Sequence, residues 1–167
     1  MARPTRHDGT SYVGRETFLI TSLTKNRVKA FEDIEFGQSV INELIARANR
    51  LGFALPAYTV MPDHAHVITV GLTHASDVCQ LLYEWKKATG FCWSRRGRGR
   101  LWQPGYWDSH LIDGNSLDRA IEYVVLNPVR SGLVGDARAY PLTGSTMYSI
   151  EELFQFIGIA DSDPQRD

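Results

Sequence analysis

The chain predicts an α+β fold: a ferredoxin-like antiparallel sheet with helices packed on one face, plus a C-terminal helix that carries Tyr123. Three observations predict it. Strand and helix patterns alternate in the order β-α-β-β-α-β-α. Pro62-Asp63 is a turn signal between two apolar runs, which reads as a hairpin. Two long segments carry apolar residues at helical spacing. The 167 residues, 43% apolar, suit one domain over 1–167. Residues 1–14 read as a loose arm and 157–167 as a frayed tail.

Thr17-Phe-Leu-Ile-Thr-Ser22 is β-branched and apolar, and predicts the first strand. Lys25 to Glu35 reads as a loop with a short turn. Val40, Ile41, Leu44, Ile45 and Ala48 form the stripe of a helix over 38–51, ended by Gly52. Leu55 to Met61 and His64 to Val70 read as the hairpin strands. A second helix spans 74–93, with Val78, Leu81, Leu82, Trp85 and Ala88 as its apolar face. Arg95 to Arg100 is a basic, glycine-containing loop. Leu101 to Ile112 is aromatic-rich and extended, with a turn at Pro104-Gly105. Asn115 or Ser116 caps a third helix that Asn127-Pro128 stops after about Leu126, since a residue before proline disfavours the helical region. A short helix follows over 149–156.

Several classes are excluded. No run approaches the roughly 18 apolar residues of a membrane helix. The first residues lack an apolar signal core, which predicts a cytoplasmic protein. Cys79 and Cys92 have no metal-type or redox spacing, and read as reduced or core residues. The net charge of −1 does not advertise a nucleic-acid binder. Its distribution does: Lys86, Lys87, Arg95, Arg96, Arg98 and Arg100 face one acid, Glu84, within one stretch. Such a stripe either neutralises phosphates or is a solvated face.

Met61-Pro-Asp-His-Ala-His-Val67 is the first chemical motif. Residues two apart on a strand share a face, so His64 and His66 present two imidazoles together. They are a metal-ligand pair, short of a complete site, or two histidines on an amphipathic strand. Tyr123 and Asn127 stand at i and i+4 on the third helix and share a face. An amide oxygen can ligate a divalent ion, and a phenol one turn away would lie beside it. The plainer reading is a half-buried aromatic with Asn127 capping the helix end. Together, two imidazoles and an amide leave an ion's charge uncompensated and its other positions open. A scissile phosphate supplies the missing anion. The phenol needs a base, a bound water or the ion's field to become a nucleophile.

The histidine motif, Leu101-Trp-Gln-Pro-Gly-Tyr-Trp-Asp108 and Tyr123-Val-Val-Leu-Asn-Pro-Val-Arg-Ser-Gly-Leu-Val134 resemble the REP-associated tyrosine transposases. These are relatives of the single-tyrosine HUH transposases of bacterial insertion sequences. The resemblance spans roughly residues 10–145. It implies a ferredoxin-like fold, Mg²⁺ or Mn²⁺ held by His64, His66 and Asn127, and Tyr123 as nucleophile on a catalytic-tyrosine helix. The implied reaction makes a 5′-phosphotyrosine, frees a 3′-hydroxyl and is reversible without ATP. The implied partners are single-stranded DNA hairpins, the REP palindromes. One nucleophilic tyrosine per chain fits a monomer making sequential cuts or a homodimer. Two positions depart from the pattern. Ala65 is small where a larger apolar residue is usual, and Ser109 to Asp113 lacks an arginine, for which His110 is either a partial substitute or a satisfied core or surface histidine.

Lys86, Lys87, Arg95, Arg96, Arg98 and Arg100 are the candidate hairpin contacts. Arg130 either reaches the scissile phosphate or neutralises the helix C-terminus. Trp102, Tyr106 and Trp107 are core residues or platforms for stacked bases. Arg3, Arg6 and Arg15 make the arm a further candidate. The competing functions are a domesticated hairpin DNA- or RNA-binding module without turnover, and a hydrolase in which water attacks.

Overall fold

The structure is a computed structural model and describes residues 11–158. Its elements are β1 (Thr17–Leu23), α1 (Ile34–Leu51), β2 (Phe53–Ala54), β3 (Tyr58–Met61), β4 (His64–Gly71), α2 (Val78–Ser94), β5 (Trp107–His110), α3 (Gly114–Arg130), β6 (Thr143–Gly144) and α4 (Ile150–Phe156). The sheet order is β5-β1-β4-β3-β6, with β2 also paired to β4. Every pairing is antiparallel. Strands β5, β1, β4 and β3 give the expected ferredoxin-like sheet, with the β3–β4 hairpin turning at Pro62-Asp63.

Helices cover both faces, not one. Phe18, Ile20, Val60, Ala65 and Val67 pack with α1 and α2 in one core. Ala57 and Ile68 pack with Ile121, Val124, Val125, Leu153 and Phe154 of α3 and α4 in the other. β4 is consequently buried on both sides over Ala65–Thr69. The small Ala65 side chain is fully buried beneath the α1–α2 layer. The alternation of strand side chains therefore sends His64, His66 and Ile68 toward α3.

Other differences have local causes. α1 begins at Ile34 because the Asp33 carboxylate accepts from Phe36 N–H at 3.0 Å. The strand expected over 55–61 is broken: Pro56 follows β2, and pairing resumes at Tyr58. α2 starts at Val78 with Asp77 as its cap. Residues 11–14 are not loose. Val13 bridges Asp77, Gly14 N–H reaches Ser76 O at 2.9 Å, and Tyr12 stacks on Phe18. Arg3, Arg6 and the tail beyond Gly158 lie outside the described residues. Among the described residues, no helix is long and apolar enough to cross a membrane.

The third helix corrects the sequence most. Asp113, not Asn115 or Ser116, is its N-cap, and Ser116 supplies the other half of a capping box. The helix runs through Pro128 to Arg130. A proline there cannot bond the carbonyl four residues back, which belongs to Val124. The Thr59 hydroxyl donates to that same oxygen at 2.9 Å, in a buried position. The helix ends instead at Gly132 (φ 70°), whose N–H bonds Val129 O at 2.9 Å while Leu133 N–H bonds Pro128 O at 2.9 Å. Thr59 also lies directly opposite His66 in the β3–β4 register. One hydroxyl thus satisfies the proline break and pins the tyrosine helix beside the histidines. Thr59→Val should cost about 1–3 kcal/mol, the penalty of an orphaned buried acceptor. Thr59→Ser should recover most of it. Urea midpoints of the three proteins decide this; equal midpoints for Thr59→Val and wild type would sink the pairing.

Candidate metal and nucleophile site

The two histidines converge. Nε2 of His64 lies 3.1 Å from Nε2 of His66. Their other ring nitrogens are held from behind. His64 Nδ1 meets the Asp63 carboxylate at 2.6 Å, and His66 Nδ1 meets the Thr21 hydroxyl at 2.9 Å. Thr21 is the β1 partner of His66 in register, so the strand pairing itself sets this contact. An anchored Nδ1 that aims Nε2 outward is the usual support of a metal-bound imidazole. Two ligand atoms about 2.1 Å from one ion, at right angles across it, stand about 3.0 Å apart. The spacing therefore fits a shared divalent ion. Thr21 can donate or accept, so it serves His66 in either tautomer.

Burial keeps both rings neutral. His66 is 4% exposed, and its pKa falls to about 3, mainly through desolvation, with the charges of His64 and Arg27 adding to the effect. Burial also lowers His64, against the pull of Asp63. Neutral imidazoles are what a metal requires. Stability follows by linkage. Between about pH 6.5 and pH 3 the unfolded chain binds a proton at position 66 that the folded chain refuses. The chelated protein should lose stability on acidification from about pH 6.5, at up to about 1.4 kcal/mol per pH unit. The carboxylates with lowered pKa act only nearer pH 4, so the pH 6.5–5 segment reports the histidines. A flat segment in pH-resolved urea titrations with EDTA would contradict the buried, neutral assignment.

Tyr123 comes to this pair from α3. Its ring centroid lies 5.3 Å from that of His66, at an interplanar angle of 76°, and the residue is 39% exposed. Arg130, two turns on, puts its guanidinium carbon 5.7 Å from the Tyr123 ring centre and pairs with Glu122 at 3.6 Å. It reaches that position because the helix continues past Pro128. Asn127 is buried, and its Oδ1 accepts a long 3.4 Å bond from the Ser131 hydroxyl. Among the described residues, no cluster of three or more His, Cys, Asp or Glu is present. Any third protein ligand there would be of another type, such as an amide.

The basic stripe lies elsewhere. Lys86, Lys87 and Arg100 line a cleft of about 560 Å³ between α2 and residues 99–106, on the sheet face opposite α3. Lys86 donates to Gly105 O at 2.5 Å, and burial with the charge of Arg100 lowers its pKa to about 8. Arg96 pairs with Asp33 at 2.7 Å, and Arg98 lies over the Trp93 ring. Trp102 is 4% exposed, packs on Phe31 and Trp85, and donates to Thr89 Oγ1 at 2.8 Å. It is a core residue, buried where a platform for stacked bases would have to be exposed. Tyr106 is half-buried against the same core. Trp107 is 47% exposed and sits opposite Thr21 on β5. His110 is 2.6 Å from Glu16 and stacked on Phe18, so it does not stand in for the missing arginine.

Tyr83 and Phe91 escaped the sequence reading, as did the register that joins them to Lys87 and Arg95. Tyr83, Lys87, Phe91 and Arg95 recur every four residues and form one exposed ridge of α2, with Lys87 over Tyr83 and Arg95 over Phe91. That spacing was available in the sequence. Thr21, Thr59 and Arg27 act through contacts between distant segments, which no local pattern reveals, and the tie of Asp63 to Arg27 is of the same kind.

No protein-family model matches the chain. The REP-associated tyrosine transposase of Escherichia coli (strain K12) is 24% identical over 133 residues, covering 79% of this chain and 78% of that protein. A structure of a REP-associated tyrosine transposase bound to a REP hairpin superposes with a TM-score of 0.72 at 22% identity, covering 86% of this chain and 82% of the other. The crystal structure of a putative transposase from Deinococcus radiodurans R1 gives a TM-score of 0.51 at 20% identity, covering 72% and 95%. The chain is thus similar in sequence to a REP-associated tyrosine transposase and shares the fold of that family.

Proposed function

We propose that the chain is a transposase-like strand transferase that cleaves and rejoins single-stranded DNA at REP-type hairpins through a 5′-phosphotyrosine. The observation that carries this reading is the Tyr123 ring held against His66, whose Nε2 converges with that of His64. Similarity to a REP-associated tyrosine transposase, and to a structure of one bound to its hairpin, supports a hairpin-related, DNA-processing role. DNA as substrate puts the protein in the cytoplasm.

His64, His66 and Asn127 would hold Mg²⁺ or Mn²⁺. Once bound, such an ion supplies Lewis-acid polarisation of a phosphate oxygen. The chain's own residues do the rest. Asp63 and Thr21 fix the imidazoles. Tyr123 Oη attacks phosphorus, its proton passing to solvent at the open side of the ring, and the P–O3′ bond breaks in line. The 3′-oxygen leaves and takes up a proton. Arg130, over the ring, would meet the charge of the incoming phosphate. The phosphodiester energy is kept in the tyrosyl ester, so a later 3′-hydroxyl reverses the step. The α2 ridge, with Lys86 and Arg100 beside it, is the proposed duplex-binding face.

The test is a denaturing gel. Protein incubated with a REP-type hairpin carrying single-stranded flanks, and with Mn²⁺, should give a covalent protein–DNA band. Tight binding without that band would leave a hairpin-binding module. Cleavage without the band would leave a hydrolase.

A further inference from the structure

Asn26 and Arg27 are consecutive non-glycine residues with φ of 56°. Left-handed backbone is unfavourable for L-residues, more for arginine than for asparagine. Such strain persists only where the surroundings over-determine it. They do so here. Thr24 N–H and the Thr24 hydroxyl both reach Asp63 O at 2.9 Å, and the same hydroxyl reaches Val28 O at 2.8 Å. Phe31 N–H bonds Pro62 O at 3.0 Å. The turn over 24–28 is thereby clamped on the hairpin turn that precedes His64.

The product of this clamp is one side-chain position. Arg27 Nε lies 2.8 Å from Asp63 Oδ2, while Asp63 Oδ1 holds His64 Nδ1 at 2.6 Å. One carboxylate therefore ties a guanidinium to the first imidazole. The bond uses Nε, not the two terminal amino groups, and the side chain is 54% exposed. A guanidinium this close to a divalent-ion site is repelled by the ion unless an anion lies between them. Asp63 is already shared. Terminal guanidinium nitrogens match the spacing of phosphate oxygens.

We propose that Arg27 binds a non-bridging oxygen of the DNA phosphate seated at the histidine pair, with Asp63 setting its position. The proposal rests on the DNA-transfer reading above for its ligand. It gives the strained turn a purpose that holding Asp63 alone would not, since a main-chain donor could serve the carboxylate without strain.

The test is binding in EDTA, without ion or turnover. The probes are a hairpin with a single-stranded flank and versions in which one phosphate at a time along the flank is a neutral methylphosphonate. For wild-type protein, one position should weaken binding roughly tenfold, as loss of a hydrogen bond to a charged group does. Arg27→Gln should bind the native probe more weakly and be insensitive at that position, with unchanged losses elsewhere. Arg27→Lys, which keeps the charge, should show intermediate sensitivity there and serves if the glutamine variant melts early. Equal losses for wild type, Arg27→Gln and Arg27→Lys at every position overturn the proposal and leave Arg27 as a clip on Asp63. Failure of the covalent-band assay with this coupling intact would instead refute the transferase reading alone.

Discussion

Tyr123→Phe should abolish the covalent protein–DNA band, by at least about 10³-fold, while hairpin binding stays within about twofold of wild type. The substitution removes one atom, Oη. The ring remains to keep its edge contact with His66 and the guanidinium of Arg130 above it. The side chain is 39% exposed and, among the described residues, its hydroxyl makes no hydrogen bond to the protein, so folding should not change measurably. A loss of cleavage in this variant is therefore chemical. Cleavage that persists would assign the attack to water and make Tyr123 a packing residue. An adduct that persists would move the nucleophile to another side chain.

How much of this was legible from sequence depends on the range of the interaction. The histidine pair was readable because a strand's period of two is local, and Tyr123 and Asn127 because a helix repeats every three to four residues. The ferredoxin-like fold class followed from the order of patterns. The end of α3 was misjudged because the rule about residues before proline is local, whereas the bond that relieves Pro128 comes from Thr59, on β3. Trp102 was ambiguous for a similar reason. Its burial depends on Phe31 and Trp85, brought from a loop and from another helix. The second helical layer was hidden as well. Its trace in the sequence is the run Val67-Ile-Thr-Val70, which the structure buries through Thr69. Arg27 was invisible because its meaning lies in a left-handed turn and in a carboxylate distant along the chain.

His64→Ala is the second large effect. His64 is half-buried where His66 is nearly enclosed, and its loss takes a partner from the Asp63 carboxylate, which keeps Arg27, and from His66 Nε2, whose ring stays held by Thr21. The variant should therefore fold. His66→Ala, by contrast, opens a cavity between β1, β4 and α3 and leaves the Thr21 hydroxyl without its ring partner. One imidazole and one amide are too few protein donors for a useful site. Mn²⁺ affinity, followed by calorimetry or by the ion's paramagnetic signal, should fall more than the roughly 10–100-fold typical of losing a supporting residue. Cleavage should fall with it. Asp63→Asn supplies the comparison: it keeps both Nε2 ligands, weakens the orientation of His64, and should lie within that roughly 10–100-fold range. The ordering wild type, Asp63→Asn, His64→Ala identifies His64 as a ligand and Asp63 as its support. If Mn²⁺ bound all three proteins alike, the converging imidazoles would be a packing arrangement, and the ion would have to be held elsewhere.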